Sequence, residues 1–422
     1  MLFAIIVFAL TYVFMIALPK HRYVVALVSA AVFVAAGIVP LRELKGVINW
    51  NILMMLFGTM GTVSFFIESK MPNKIAEKLL MITPNTVWAV VAMSLFAGII
   101  SAFIDNVATV LMLAPVGLAI AKEMRISPVS MLIAIAVSSN LQGAATLVGD
   151  TTSIMLGGYA GMDFLDFFWM NGRPGIFWAV ELGALATVPV IMFLFRKDKE
   201  RVNAKASTEV KDYFPTVLLC ANIVLLILAS FLPNKPEMIN GFICLGIFVV
   251  AAVYYTVKDR STAGAANALR EVDFATLLLL AGLFIVIDGV SRAGVIDAIS
   301  DLFVKIGGNS VFLLYTIIVW GSVLCSAFID NIPFVATMLP VVSAIASATG
   351  FSPYVLYFGL LTGATLGGNL TPIGASANIA AIGILQKEGC EVGFRDFMRI
   401  GVPFTLTAVT AGYLFIWFVW GV

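Results

Sequence analysis

The chain has 422 residues, 61% of them hydrophobic and only 12% charged, with a mean hydropathy of +1.04. That lies far above the roughly 45–50% apolar content of ordinary globular domains and excludes a soluble enzyme or a disordered protein. A net charge of +1 lacks the basic face nucleic acid requires, and one His with four scattered Cys, without CxxC or HxxxH spacing, excludes zinc, haem and disulfide frameworks.

In chain order, the opening run MLFAIIVFALTYVFMIAL lacks the basic start and cleavage site of a signal peptide. It reads as a first transmembrane helix, ended by Lys20, His21 and Arg22. Further runs long enough for ~30 Å of hydrocarbon fall at 23–39, 50–67, 129–160, 174–195, 214–232, 239–257, 272–290, 353–384 and 401–421, which makes ten crossings. Two stretches, 85–122 and 309–347, are too long for one simple span, and each carries an Asp-Asn pair near its middle. Both are expected to be re-entrant helical hairpins.

Basic residues of short loops concentrate on the cytoplasmic side. With the N-terminus outside and both hairpins re-entering, nineteen of the 25 basic residues fall inside, among them Lys20, Arg22, Lys122, Arg125, Lys199 and Lys258. Arg42, Lys45, Arg173, Lys235, Arg292 and Lys305 fall outside, and none lies in a membrane core. Residues 196–212 form the one substantial polar linker, on the inside.

The two halves flanking that linker repeat each other. SAFIDN at 101–106 recurs at 326–331, a shift of 225, and NLQGAATLVGDTTSI at 140–154 lies over TLGGNLTPIGASANI at 365–379 at the same shift. The first repeat holds an odd number of crossings, so the second enters from the opposite face, giving inverted repeats. The Gly-, Thr- and Asn-rich segments Gly143–Thr152 and Gly367–Ser376 are expected to unwind helices at mid-membrane. Bare carbonyls and amides survive there only where they line a cavity or are buried in protein. This architecture implies a transporter more than an enzyme or a channel.

Each hairpin tip adds a carboxylate and an amide, Asp105 with Asn106 and Asp330 with Asn331. An unpaired Asp at membrane depth costs roughly 2.5–3.5 kcal/mol or more, and no Lys or Arg is nearby in sequence. Bound Na⁺ or a proton is the simplest compensation; capping of the following helix is the alternative. The breaks contribute Thr146, Gly149 and Ser153 on one side, and Asn369, Thr371, Gly374, Ser376 and Asn378 on the other, as ion- or substrate-binding candidates. Asp150 in the first break and Glu181 within 174–195 are candidates for a proton relay, and Cys325 reads as a small packing residue.

SAFIDNVATVLMLAPV, SAFIDNIPFVATMLPVV and GGNLTPIGASANI resemble the paired signatures of the ion transporter superfamily. The matching branch holds arsenite permeases, NhaD-type sodium/proton antiporters and the melanosomal P protein. The resemblance implies scaffold helices at 1–84 and 213–308 and transport-domain elements at 85–195 and 309–422, working as an elevator in a homodimer. Asp105, Asn106, Asp330 and Asn331 stand where dicarboxylate transporters carry Ser-Asn-Thr, and a tip carboxylate fits cation or proton handling better. Arsenite permeases tend to reverse the Asn-Asp order at the first tip. The expectation is an all-α polytopic secondary transporter of a bacterial-type inner membrane, coupled to Na⁺ or H⁺ and most like a Na⁺/H⁺ antiporter. Arsenite or oxyanion efflux, or citrate/dicarboxylate transport, is the alternative. No further cofactor and no nucleic acid is expected. No Walker A sequence occurs, so a separate ATPase subunit enters only with the arsenite reading.

The orientation has a direct check in a cysteine-free background. A cysteine at Ser207 is expected to escape an impermeant maleimide in intact cells, and one placed after Val422 to react; the opposite pattern reverses the topology.

Overall fold

A computed structural model describes residues 1–123, 127–197, 208–308 and 310–422. Arg125 and most of the polar linker, including Lys199 and Ser207, lie outside the described residues. The chain is helical nearly throughout, and the sheet among the described residues is one two-residue pairing of Trp169–Met170 with Arg173–Pro174. Among the described residues seven helices are long and apolar enough to cross a membrane: Trp50–Glu68, Pro128–Ala145, Ile176–Leu194, Ile239–Lys258, Phe274–Arg292, Asn331–Thr349 and Phe394–Gly421.

Several of the ten expected crossings take another form. Leu2–Ala17 has 16 residues and Arg22–Ala35 has 14, about 24 and 21 Å of helix, both short of ~30 Å. The chain bends by 117° between them, at Pro19, so the two N-terminal runs are the arms of one bent pair. Phe214–Ser230 has 17 residues. Three amphipathic helices, Met71–Met81, Ala263–Glu271 and Val295–Gly307, occupy stretches read from sequence as loops.

Helices meet at both Asp-Asn tips and are interrupted at both Gly-rich segments. Thr86–Ser101 and Asn106–Glu123 flank the first tip, and Val311–Ser326 and Asn331–Thr349 the second. Pro128–Gln142 gives way at Gly143–Ala145 and resumes as Thr151–Ala160. Pro353–Leu361 runs through a π-turn at Thr362–Leu366 and resumes as Ser376–Lys387. The four helix starts 86, 106, 128 and 151 recur at 311, 331, 353 and 376, each at the 225 shift. Local chemistry repeats with them. Asn85 and Ser310 accept from the amides of Trp88 and Leu313, and Pro128 and Pro353 open their helices, where a missing N–H costs nothing.

The repeats interlock crosswise. Trp50–Glu68 packs on Ile239–Lys258, and Arg22–Ala35 on Phe274–Arg292. Glycines let the backbones touch: a Cβ on Gly58 would overlap the Cys244 carbonyl, and one on Gly282 would lie 2.8 Å from the Ala26 carbonyl carbon. The arms of the first hairpin pack on Pro128–Gln142, and those of the second on Pro353–Leu361 and Thr362–Leu366.

Most ion pairs join loop residues that the charge count puts on one side. Lys122–Glu388 at 2.8 Å and Lys258–Asp212 at 2.6 Å join residues assigned inside, while Arg292–Glu43 at 2.8 Å and Lys235–Asp163 join residues assigned outside. Arg22 breaks the rule. Counted in sequence as a loop residue, it is mostly buried and bonded to Asp330 at the second tip.

Gly58→Val should wedge apart the helices that join the repeats. A loss of several degrees in melting temperature of the purified protein is expected, and an unchanged value would show that the neighbouring helix yields.

Candidate functional site

Both tips open onto one cavity of about 770 Å³. One wall is Leu56–Glu68 with Asn267, Arg270, Glu271 and Asp273; the other is the two tips, Gly149–Thr151 and Ser376. Its lining holds six acidic residues, Glu68, Asp105, Asp150, Glu271, Asp273 and Asp330, against one basic residue, Arg270.

The tips are built alike. Asp105 Oδ1 accepts the amides of Val107 at 3.0 Å and Ala108 at 3.1 Å, and Asp330 Oδ1 that of Ile332 at 3.2 Å. Both carboxylates therefore cap the second arms of their hairpins, so capping and cavity exposure hold together. Thr146 donates to Ala102 O and Thr371 to Ala327 O, each tying a break to its own tip. Glycine is required beside these ties. A Cβ on Gly149 would lie 2.6 Å from Gly143 O and 2.7 Å from Ala102 O, and one on Gly374 2.6 Å from both Gly368 O and Ser326 O.

The remaining candidates divide. Ser153 donates to Gly143 O at 3.2 Å, and Asn378 to Gly368 O at 3.1 Å and Thr371 O at 3.3 Å, so both brace the breaks from within. Asn369 donates to Val137 O at 2.8 Å. Ser376 lines the cavity and donates to Asp330 Oδ2 at 3.0 Å. Asp150 also lines it, capping Thr151–Ala160 through the Thr151 amide at 2.8 Å and accepting from Thr152 at 2.6 Å. Glu181 is half-buried on Ile176–Leu194, away from the cavity. Cys325 is exposed, outside the lining.

Two residues absent from the sequence reading connect the halves. Asn140, fully buried, donates to Thr365 O at 2.8 Å and Asn369 Oδ1 at 3.1 Å, and accepts from Asn106 at 2.9 Å and Asn331 at 3.5 Å. Thr365 stands at the 225 shift from Asn140, and its hydroxyl donates to Thr152 at 3.0 Å. Asn140 opens the repeated motif itself, which was the signal available for it. Asn331 Oδ1, buried at the cavity wall, has no hydrogen-bond partner among the described residues. Arg22 Nη1 lies 2.8 Å from Asp330 Oδ2. Bound Na⁺ or a proton was the compensation expected there for want of a basic residue nearby in sequence; the structure supplies an arginine from 308 residues away.

A family model described as citrate transporter matches residues 12–358 and 248–422. The chain belongs to the citrate transporter family. An uncharacterized transporter of Mycobacterium tuberculosis is 28% identical over 434 residues, covering 98% of this chain and 97% of the relative. The human P protein is 26% identical over 478 residues, covering 94% of this chain and 57% of its own length. Among solved structures, the YdaH transporter of Alcanivorax borkumensis aligns with a TM-score of 0.61 at 15% identity, covering 89% of this chain and 87% of its own. MtrF of Neisseria gonorrhoeae, titled as illuminating a class of antimetabolite efflux pumps, aligns at 0.57 and 16%, covering 87% and 80%. These two structures share the fold. Family membership and the apolar helices make the chain an integral, multi-pass membrane transporter, and its relatives include the P protein branch of the ion transporter superfamily that the motifs resemble.

Thr146→Val should leave Ala102 O unpaired at depth, at about 1–3 kcal/mol, while Thr146→Ser keeps the bond. A lower melting temperature for the valine variant and near wild-type behaviour for the serine variant are expected; equal values would mean the tie carries no stability.

Proposed function

We propose that the chain is a secondary active transporter coupled to Na⁺ or H⁺, with the coupling cation held at the first tip between Asp105 and Asp150. One observation carries this reading: Asp105, Asp150 and Asp330, from two tips and a break, line one cavity whose other charges are also mainly acidic. Asp carboxylates, Asn amide oxygens and unwound carbonyls are hard donors suited to Na⁺, and a carboxylate also takes a proton. A free polycarboxylate or oxyanion would meet six acidic groups and one arginine there, which ranks the anion readings second within a family described as citrate transporters.

Alternating access between inverted repeats is part of the proposal. A second cavity of about 670 Å³ is lined by Arg42–Ile52 and Phe284–Arg292. At the shift of 225 these segments are counterparts of 267–277 and 59–67, which line the first cavity with the halves exchanged. The basic-residue count sets the first cavity facing the cytoplasm and the termini outside, in a bacterial-type inner membrane. The crosswise-packed helices serve as scaffold and the hairpins with their breaks as the moving part of an elevator, in a homodimer.

Liposomes reporting internal pH, given Na⁺, citrate and arsenite gradients in turn, test this. Wild-type protein is expected to move protons on a Na⁺ gradient, and Asp105→Asn and Asp150→Asn to fold, reach the membrane and fall to background. Flux that follows citrate or arsenite and ignores Na⁺ and pH would overturn the cation reading. Full coupled flux in both variants would move the site elsewhere.

A further inference from the structure

The two tips are not equally supplied with charge. Arg22 opens a helix of 14 residues, about 21 Å long, too short to reach across the hydrocarbon from the face where it ends. The bend at Pro19 therefore starts that helix at depth, beside the second tip. Tyr12, on the preceding arm, holds it there: its hydroxyl donates to Pro333 O at 2.6 Å and lies 2.5 Å from Thr337 Oγ1. The Arg22 side chain is 20% exposed and that of Asp330 7%. Every oxygen of Asp330 is engaged, Oδ2 by Arg22 and Ser376 and Oδ1 by the Ile332 amide.

Asp105 is the contrast. Among the described residues its hydrogen-bond partners are two backbone amides, and no basic side chain reaches it. The residue at the 225 shift from Arg22 is Ile247, buried in the middle of Ile239–Lys258, which runs without a break. The second repeat thus lacks both the charge and the bend that would deliver one to the first tip.

We propose that Arg22 is the resident cation of the second tip, so that the chain takes up one mobile cation, beside Asp105, where twofold-related tips would hold two. This rests on the cation-coupled reading above. A mobile ion at Asp330 would have to displace a guanidinium already paired and mostly desolvated, stranding that charge in the interior. At the first tip nothing has to be displaced. The arginine thereby sets both the number of ions and the tip at which they bind.

Equilibrium binding of radioactive sodium to the purified full-length protein tests this, with melting temperature as a second readout. About one sodium per chain is expected, lost in Asp105→Asn and kept in Asp330→Asn. Arg22→Gln should gain a second ion, and Arg22→Lys should stay at one. Two ions in the wild type, an ion lost with Asp330 and kept without Asp105, or no gain in Arg22→Gln would overturn the proposal. If neither the wild type nor Arg22→Gln binds sodium, sodium coupling fails, and melting decides the role of Arg22. Arg22→Gln should melt several degrees lower, and adding Asp330→Asn should restore most of that loss; no restoration overturns the proposal.

Discussion

Everything distinctive in this fold follows from ending helices inside the protein, where the peptide groups at their ends have no partner within the helix. Two hairpin tips and two helix breaks expose carbonyls and amides at depth, and such groups persist only if protein satisfies them. Here each break satisfies its own tip. Thr146 and Thr371 reach back to the carbonyls of Ala102 and Ala327, and Gly149 and Gly374 permit the approach. The tip carboxylates add to this by capping the helices that follow. Most polar side chains near the site are spent on holding the backbone open, which leaves a small set of carboxylates and amides free to face the cavity.

The same constraint explains what the sequence revealed. SAFIDN and the Gly-rich breaks recur at one fixed shift because the backbone geometry they support recurs, so the turns at the tips and the helix breaks were legible to within a few residues. The N-terminal bend was not. Residues 1–39 are apolar enough for two crossings, and hydropathy counts apolar residues without registering the turn at Pro19 or the shortness of each arm. The amphipathic helices such as Val295–Gly307 were missed for a related reason. At 9–13 residues they are too short for a membrane-length window, and their charges made them read as loops.

Within the site, position in the cavity was less legible than residue type. Thr146, Thr371, Ser153 and Asn378 were singled out as hard donors, and the structure turns all four toward local backbone. Asp150, read from sequence as a proton-relay candidate, is the one whose burial and hydrogen bonds place it at the cavity wall. Arg22 lay furthest from sight. A partner 308 residues away leaves no trace in local sequence, and the charge count filed it with the loops.

The buried amide of Asn140 has a consequence for how evenly the two halves divide their work. A residue that bonds the backbone of its own repeat counterpart, here Thr365, sits next to any axis relating the halves. Only one copy of such a contact fits. Exchanging the halves would set a threonine where the amide now joins both tips, and the joined network would have no equivalent. In the alternating access proposed above, the two end states would therefore be unequal in energy, and one of them would be the resting posture before any ion or solute arrives.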